Sequence, residues 1–180
     1  VYRVAQETAG QRELYSIPIA GPEGSWIKLN DALPAGGDVS NLQISPDSTS
    51  VIYLADQAVN NILDAWTVPI DGGTPTKLRP FITLAGSAVY AFSAIPISPD
   101  GERVAFRANF SDLDKVELWS ARVDGTGAVT RINGTLNAYK NGQIGGFDRP
   151  AFNTSCFYFA DKPGLITDPR IQVTDNNIRT

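Results

Sequence analysis

An all-β fold built from a repeated four-stranded antiparallel unit is predicted by three features of the 180-residue chain. A Ser-Pro-Asp turn occurs at Ser45-Pro46-Asp47 and again at Ser98-Pro99-Asp100, 53 residues on. Trp66 and Trp119 keep that spacing, and so do Asp71-Gly72 and Asp124-Gly125. Helical periodicity is nowhere sustained over the ~11 residues that mark a helix. Three landmarks in one register define a repeat, and a repeat fixes the architecture before any single element does.

The best-preserved copy gives the elements in order. Ile97 leads an apolar strand into the tight turn Ser98-Pro99-Asp100-Gly101, and Val104 and Phe106 alternate on the strand that leaves it. After a polar loop, a third strand carries Leu118 and Trp119 and stops at Asp124-Gly125, where aspartate and glycine supply the turn. A short fourth strand, Val129-Thr130-Arg131-Ile132-Asn133, follows. With these strands named a to d, the chain reads b-c-d, a-b-c-d, a-b-c-d, a-b-(c), and residues 1–6 are the first b strand.

Earlier and later copies are read against that one. Leu14-Tyr15-Ser16-Ile17-Pro18-Ile19-Ala20-Gly21 matches Ala65-Trp66-Thr67-Val68-Pro69-Ile70-Asp71-Gly72, with Tyr15 and Trp66 51 residues apart. Trp26-Ile27-Lys28-Leu29-Asn30 and Pro75-Thr76-Lys77-Leu78-Arg79 are the matching d strands, and Ala35-Gly36-Gly37-Asp38 leads into the a strand at Val39. The expected units are residues 1–38 (strands b to d), 39–91, 92–145 and a degenerate 146–180. In the last, Pro150-Ala151-Phe152-Asn153 stands where the Ser-Pro-Asp strand should be.

A four-stranded antiparallel unit repeated every ~50 residues is the pattern of β-propeller blades. One blade buries little alone, whereas stacked blades bury both faces. Val51-Ile52-Tyr53-Leu54-Ala55 is accordingly apolar throughout instead of alternating. Trp66 and Trp119 are expected as wedges between blades rather than as ligand-stacking rings. About three and a half blades fit the chain, fewer than the four to eight that usually close a ring. An incomplete or open propeller is expected, belonging to a larger propeller or array, or having its open faces covered by a partner chain.

These motifs resemble TolB-type propeller repeats, which are related to WD-repeats but lack the Gly-His and Trp-Asp landmarks. The resemblance rests on the Ile-Ser-Pro-Asp strand, the Val-Ile-Tyr or Val-Ala-Phe strand after it, and the Leu-Tyr-Ser or Leu-Trp-Ser strand ending in Asp-Gly. It runs from about Val1 to Asp161. The segment from Lys28 to Gln57 is also similar to tandem arrays in large secreted bacterial proteins. The resemblance implies a blade and an extracytoplasmic setting (periplasmic, cell-surface or secreted); it implies no ligand. Two departures are the lost turn of the final unit and the unusually polar connection over residues 137–147.

Composition narrows the chemistry. Hydrophobic residues at 42% and charged residues at 19% are ordinary for a globular domain. A net charge of −4 without a basic run argues against nucleic acid as a partner. No apolar run approaches the ~20 residues of a membrane helix. The single cysteine, Cys156, excludes an internal disulfide and reads as a small buried hydrophobe. The chain opens on Val1, contains no Met and shows no signal peptide, so a processed chain or a piece of a longer one is expected.

His 0 removes every Ser-His-Asp, Cys-His or His-metal arrangement from this chain. No Gly-x-Ser-x-Gly elbow or phosphate-cradling glycine motif is present. Asp47, Asp71, Asp100 and Asp124 sit at turns, where the side chain caps its own backbone. One polar constellation remains, the loop between strands b and c of the third unit. Its Asp112, Asp114 and Glu117 place oxygen ligands at near-alternating positions, the pattern that gathers around calcium. Neither it nor the matching loop, with Asp56, Asn60, Asn61 and Asp64, has the glycine and bidentate-glutamate spacing of a calcium hand, which favours a solvated turn. Asn109-Phe110-Ser111, Asn133-Gly134-Thr135 and Asn153-Thr154-Ser155 match the glycosylation tripeptide and carry little weight in a chain so rich in these residues.

The expectation is a non-catalytic protein-binding or scaffold module without a cofactor. A protein partner would cover its open blade edges, within a larger extracytoplasmic assembly. The alternative is the substrate-gating propeller fragment of a prolyl-oligopeptidase-like serine peptidase, which requires an α/β-hydrolase domain in the parent. A structural subunit of an envelope layer is a third possibility.

Overall fold

A computed structural model describes residues 1–79, 84–90 and 95–133 of the chain. Among these residues there are eleven strands and no helix. β1 (Tyr2–Val4), β2 (Glu13–Ser16) and β3 (Ile27–Lys28) form a three-stranded antiparallel sheet. β4 (Val39–Ile44), β5 (Ser50–Ala55), β6 (Asp64–Pro69) and β7 (Thr76–Lys77) form a four-stranded sheet in chain order. β8 (Val89–Tyr90), β9 (Arg103–Ala108), β10 (Glu117–Arg122) and β11 (Thr130–Arg131) form the third, again in chain order. The three sheets do not close into a ring and constitute an incomplete, propeller-like β structure.

One boundary differs from the sequence expectation. The second unit was expected to run to residue 91, but Val89–Tyr90 pairs with β9 and opens the third sheet. The cause is an unequal repeat. Val39 and Val89 are 50 residues apart while the Ser-Pro-Asp turns are 53 apart, so the third unit carries three more residues between the start of strand a and its turn. The degenerate fourth unit, Cys156, the sequon at Asn153 and the connection over 137–147 lie outside the described residues.

The Ser-Pro-Asp turn is built twice from the same bonds. Ser45 Oγ donates to Asp47 Oδ1 at 2.5 Å and accepts the Ser50 amide at 2.9 Å; Ser98 Oγ donates to Asp100 Oδ1 at 2.5 Å and accepts the Arg103 amide at 2.9 Å. The aspartate then caps the amide two residues on, Thr49 in one copy and Glu102 in the other, both at 3.1 Å. Serine and aspartate are needed because the turn exposes donors that no ladder satisfies.

Packing between sheets explains the continuous apolar strand. Val51, Tyr53 and Ala55 of β5 lie in one cluster with Leu14 and Leu29 of the first sheet and with Trp66. Ile52 and Leu54, pointing the other way, lie in a second cluster with Val104, Phe106 and Ala108 of β9 and with Trp119. Each tryptophan thus belongs to the face that meets the preceding sheet. Its indole N–H donates to the carbonyl ending strand b of its own sheet, Ala55 at 3.3 Å and Ala108 at 3.2 Å. Burial of such a ring contributes about 2–3 kcal/mol. Main-chain latches also repeat, since the Val39 amide bonds to the Arg12 carbonyl at 2.9 Å and the Val89 amide to the Leu63 carbonyl at 2.7 Å.

Candidate functional site

Strand c opens in every sheet on a buried acid: Glu13, Asp64 and Glu117. Each meets a base on strand d. Lys28 pairs with Glu13, Lys77 with Asp64 at 3.0 Å, and Arg131 with Glu117 at 2.6 Å. Arg79 adds a second pair to Asp64 and lies 4.9 Å over the Phe110 ring, while Lys77 lies 4.9 Å over Trp66. The pairs form because residue 1 of strand c faces the same side as the middle of strand d in an antiparallel ladder. A buried carboxylate without its cation would be several kcal/mol out of balance.

The loop leading into the third of these acids is the one singled out as a calcium candidate. Asp112 Oδ1 accepts the Asp114 amide at 3.0 Å, and Asp112 Oδ2 meets Lys115 Nζ at 2.6 Å. Lys115, and after it the Asp114 amide, hold the Asp112 carboxyl below the usual aspartate range. Asp114 is exposed in the same turn. Glu117 turns inward instead and is 1% exposed; its Oε2 accepts from Ser111 Oγ and its Oε1 from Arg131. Asp112 and Asp114 are therefore brought together, and Glu117 is not joined to them. Among the described residues no group of three or more acidic or cysteine side chains is placed to hold a metal ion. The matching loop uses Asp56 structurally, its Oδ1 accepting the Asp38 amide at 2.6 Å and its Oδ2 the Asn61 amide at 2.8 Å.

Two sequon asparagines have structural roles. Asn109 is buried, with Oδ1 accepting the Ala88 amide at 2.7 Å and Nδ2 donating to the Leu113 carbonyl at 3.1 Å. Asn133 Oδ1 accepts the Leu118 amide at 2.7 Å, as Asn30 Oδ1 accepts that of Leu14 at 2.7 Å. Sequence reasoning missed this role and the acid–base pairs alike. The signal was present in the spacing, because Glu13, Asp64 and Glu117 stand 51 and 53 residues apart, like the strand-c aromatics.

The first sheet carries a group of partly exposed apolar side chains around a buried tyrosine, Tyr15. Tyr2 and Tyr15 stack across β1 and β2 with ring centroids 5.6 Å apart, and Trp26 meets Tyr15 edge-on at 5.2 Å. Tyr53 and Trp66 stack in the same way in the second sheet, where the preceding sheet covers them. In the first sheet the surrounding Val4, Ile17 and Trp26 remain 38%, 36% and 39% exposed. Glu13 accepts the Tyr15 hydroxyl at 2.9 Å; burial first, then this carboxylate, raises the Tyr15 pKa far above its usual value. No helix among the described residues is long and apolar enough to cross a membrane.

No family model matches the chain, and no curated protein matches its sequence. A solved structure from Agrobacterium tumefaciens, described as a candidate TolB, is similar to it at 19% identity and a TM-score of 0.28, over 69% of this chain. The chain spans 56% of that protein's length. A TM-score of this size lends the fold no weight, and the fold rests on the three sheets themselves.

Proposed function

We propose that this chain is a non-catalytic protein-binding or scaffold module built of propeller blades, and that it works within a larger extracytoplasmic assembly. The observation that carries the reading is the apolar face of the first sheet. Its counterparts in the second and third sheets are each packed against the sheet before, while around the buried Tyr15 the rim residues Val4, Ile17 and Trp26 stay 36–39% exposed. Partly exposed apolar side chains grouped on one face are a feature of protein contact sites. The absence of histidine removes the imidazole base of Ser-His and Cys-His nucleophiles from this chain, which supports a non-enzymatic role. The extracytoplasmic placement follows from the resemblance of the repeat motifs.

Hydroxyl-radical footprinting of Trp26 tests the reading. In material isolated gently from its native source, Trp26 is expected to be protected relative to the isolated chain. Equal oxidation of Trp26 in both would contradict a covered face.

A further inference from the structure

Among the described residues, the first sheet has an unpaired backbone edge at β1. Sheets two and three each hold four strands, with β4 beside β5 and β8 beside β9; beside β1 no strand lies among the described residues. Which backbone groups face that edge follows from the ladder. The Leu14 carbonyl accepts the Leu29 amide at 2.8 Å, so Leu14 directs its backbone groups toward β3. Arg3 is the cross-strand partner of Leu14. In an antiparallel pair, a residue opposite one that faces away must itself face away. Arg3 therefore presents its N–H and C=O to the outer edge of β1, away from β2. The other sheets agree: Ala65 and Leu118 likewise bond to strand d, and their partners Leu54 and Arg107 stand opposite Asn41 and Tyr90 of strand a.

Resting on the module reading above, we propose that β1 accepts an extended strand donated by a second polypeptide, antiparallel to β1, completing the first sheet. The occupant's chemistry is read from the strand that fills the equivalent position in the second sheet. There Asn41 stands opposite Leu54, the counterpart of Arg3. Val39, Leu42 and Ile44 pair with Ala55, Tyr53 and Val51, the residues of β5 that pack toward the preceding sheet. A donated strand thus carries apolar residues on the side of Tyr2 and Tyr15 and polar residues on the other. Backbone bonds supply the affinity and the apolar positions the register, as in other strand-addition complexes. The Arg3 side chain leaves the path clear, because its guanidinium reaches across to the Val39 carbonyl, at 2.9 Å, and to that of Ser40.

The test is amide hydrogen exchange at Arg3 in the whole chain, with a synthetic peptide of the sequence of residues 38–47 as probe. At about 1 mM peptide, a concentration suited to a weak strand-addition contact, exchange at Arg3 is expected to slow by about tenfold. The same peptide N-methylated at the position of Asn41 has lost the donor that faces Arg3 and is expected to have no effect. Unchanged exchange, or equal slowing by both peptides, overturns the proposal. So does a slow Arg3 amide in the chain alone, because the edge would then already be paired. Footprinting of Trp26 reads a different surface, so the edge proposal can fail while the module reading stands.

Discussion

Ser48 and Gly101 hold the same left-handed backbone conformation, with φ of 60° and 75°, at the same position of two copies of one turn. Each donates its amide to the serine three residues back, Ser48 to Ser45 and Gly101 to Ser98, both at 2.8 Å. Serine bears a steric cost there that glycine avoids. A Cβ on Gly101 would meet only Pro46, at 3.5 Å, which is ordinary contact. Ser48→Gly is therefore expected to stabilise the chain by about 0.5 kcal/mol, after the greater freedom of unfolded glycine is subtracted, and Gly101→Ala to destabilise it by about 1 kcal/mol. Urea unfolding midpoints check both.

Gly125 combines the same strain with crowding. Its φ is 74°, and a Cβ would stand 2.8 Å from Thr76 Cγ2 and 3.0 Å from Thr67 Cγ2 in the preceding sheet. Gly125→Ala is expected to cost about 2–3 kcal/mol, clearly more than Gly101→Ala, since overpacking adds to the backbone cost. Equal losses in urea unfolding would show that the third sheet does not approach the second as closely as these distances state.

The buried acids predict an asymmetric mutant cycle. Arg131→Gln leaves Glu117 buried beside Ser111 without its cation and is expected to cost about 1–3 kcal/mol, with Arg131 itself partly solvated. Replacing both, as Glu117→Leu with Arg131→Leu, is expected to cost less than Arg131→Gln alone. Thermal or urea unfolding of Arg131→Gln, of Glu117→Leu and Arg131→Leu singly, and of the double replacement measures the coupling. Additive losses would mean that the two groups act independently.

Acid unfolding has a defined window. The Arg122 guanidinium, and after it the Thr126 amide and hydroxyl, hold the Asp124 carboxyl down to about 2 from an ordinary 3.8, against the opposing effect of burial. Asp47 is lowered too, by the Ser45 hydroxyl first and then by the amide and hydroxyl of Thr49. A carboxyl depressed in the folded state stabilises above its unfolded pKa, and that stability is lost as pH falls through the folded value. Melting temperature is therefore expected to drop between about pH 4 and pH 2, and Asp124→Asn to make that drop shallower. A variant profile parallel to the parent's would remove Asp124 from the acid transition.

How much of this was legible from sequence depends on the kind of residue. Turn chemistry is local, so Ser45-Pro46-Asp47 and Ser98-Pro99-Asp100 announced their positions and the backbone capping by aspartate, while the serine hydroxyl bonds emerge from the structure. The apolar run from Val51 to Ala55 announced burial on two faces, and the sheets on either side supply it. Strand a of the third unit begins at Val89, 50 rather than 53 residues after Val39, because its connection to the turn is three residues longer, a difference the turn spacing does not show. The candidate site was less legible. Proximity along the chain grouped Asp112, Asp114 and Glu117, whereas the antiparallel ladder sends Glu117 to Arg131, a non-local pairing that spacing within one loop does not reveal. Trp26 read as one member of a short d strand; its exposure beside Tyr15 emerges only once β1, β2 and β3 are assembled.

The stacking of repeated sheets is tested most directly by nuclear Overhauser contacts from the indoles of Trp66 and Trp119. With three tryptophans in the chain the assignments are few. Trp66 is expected to show contacts to the methyl groups of Leu14 or Leu29, and Trp119 to those of Ile52, Leu54 or Leu78, each reaching the preceding sheet. Contacts from Trp66 to Val104 and from Trp119 to no residue of the second sheet would contradict the stacking order.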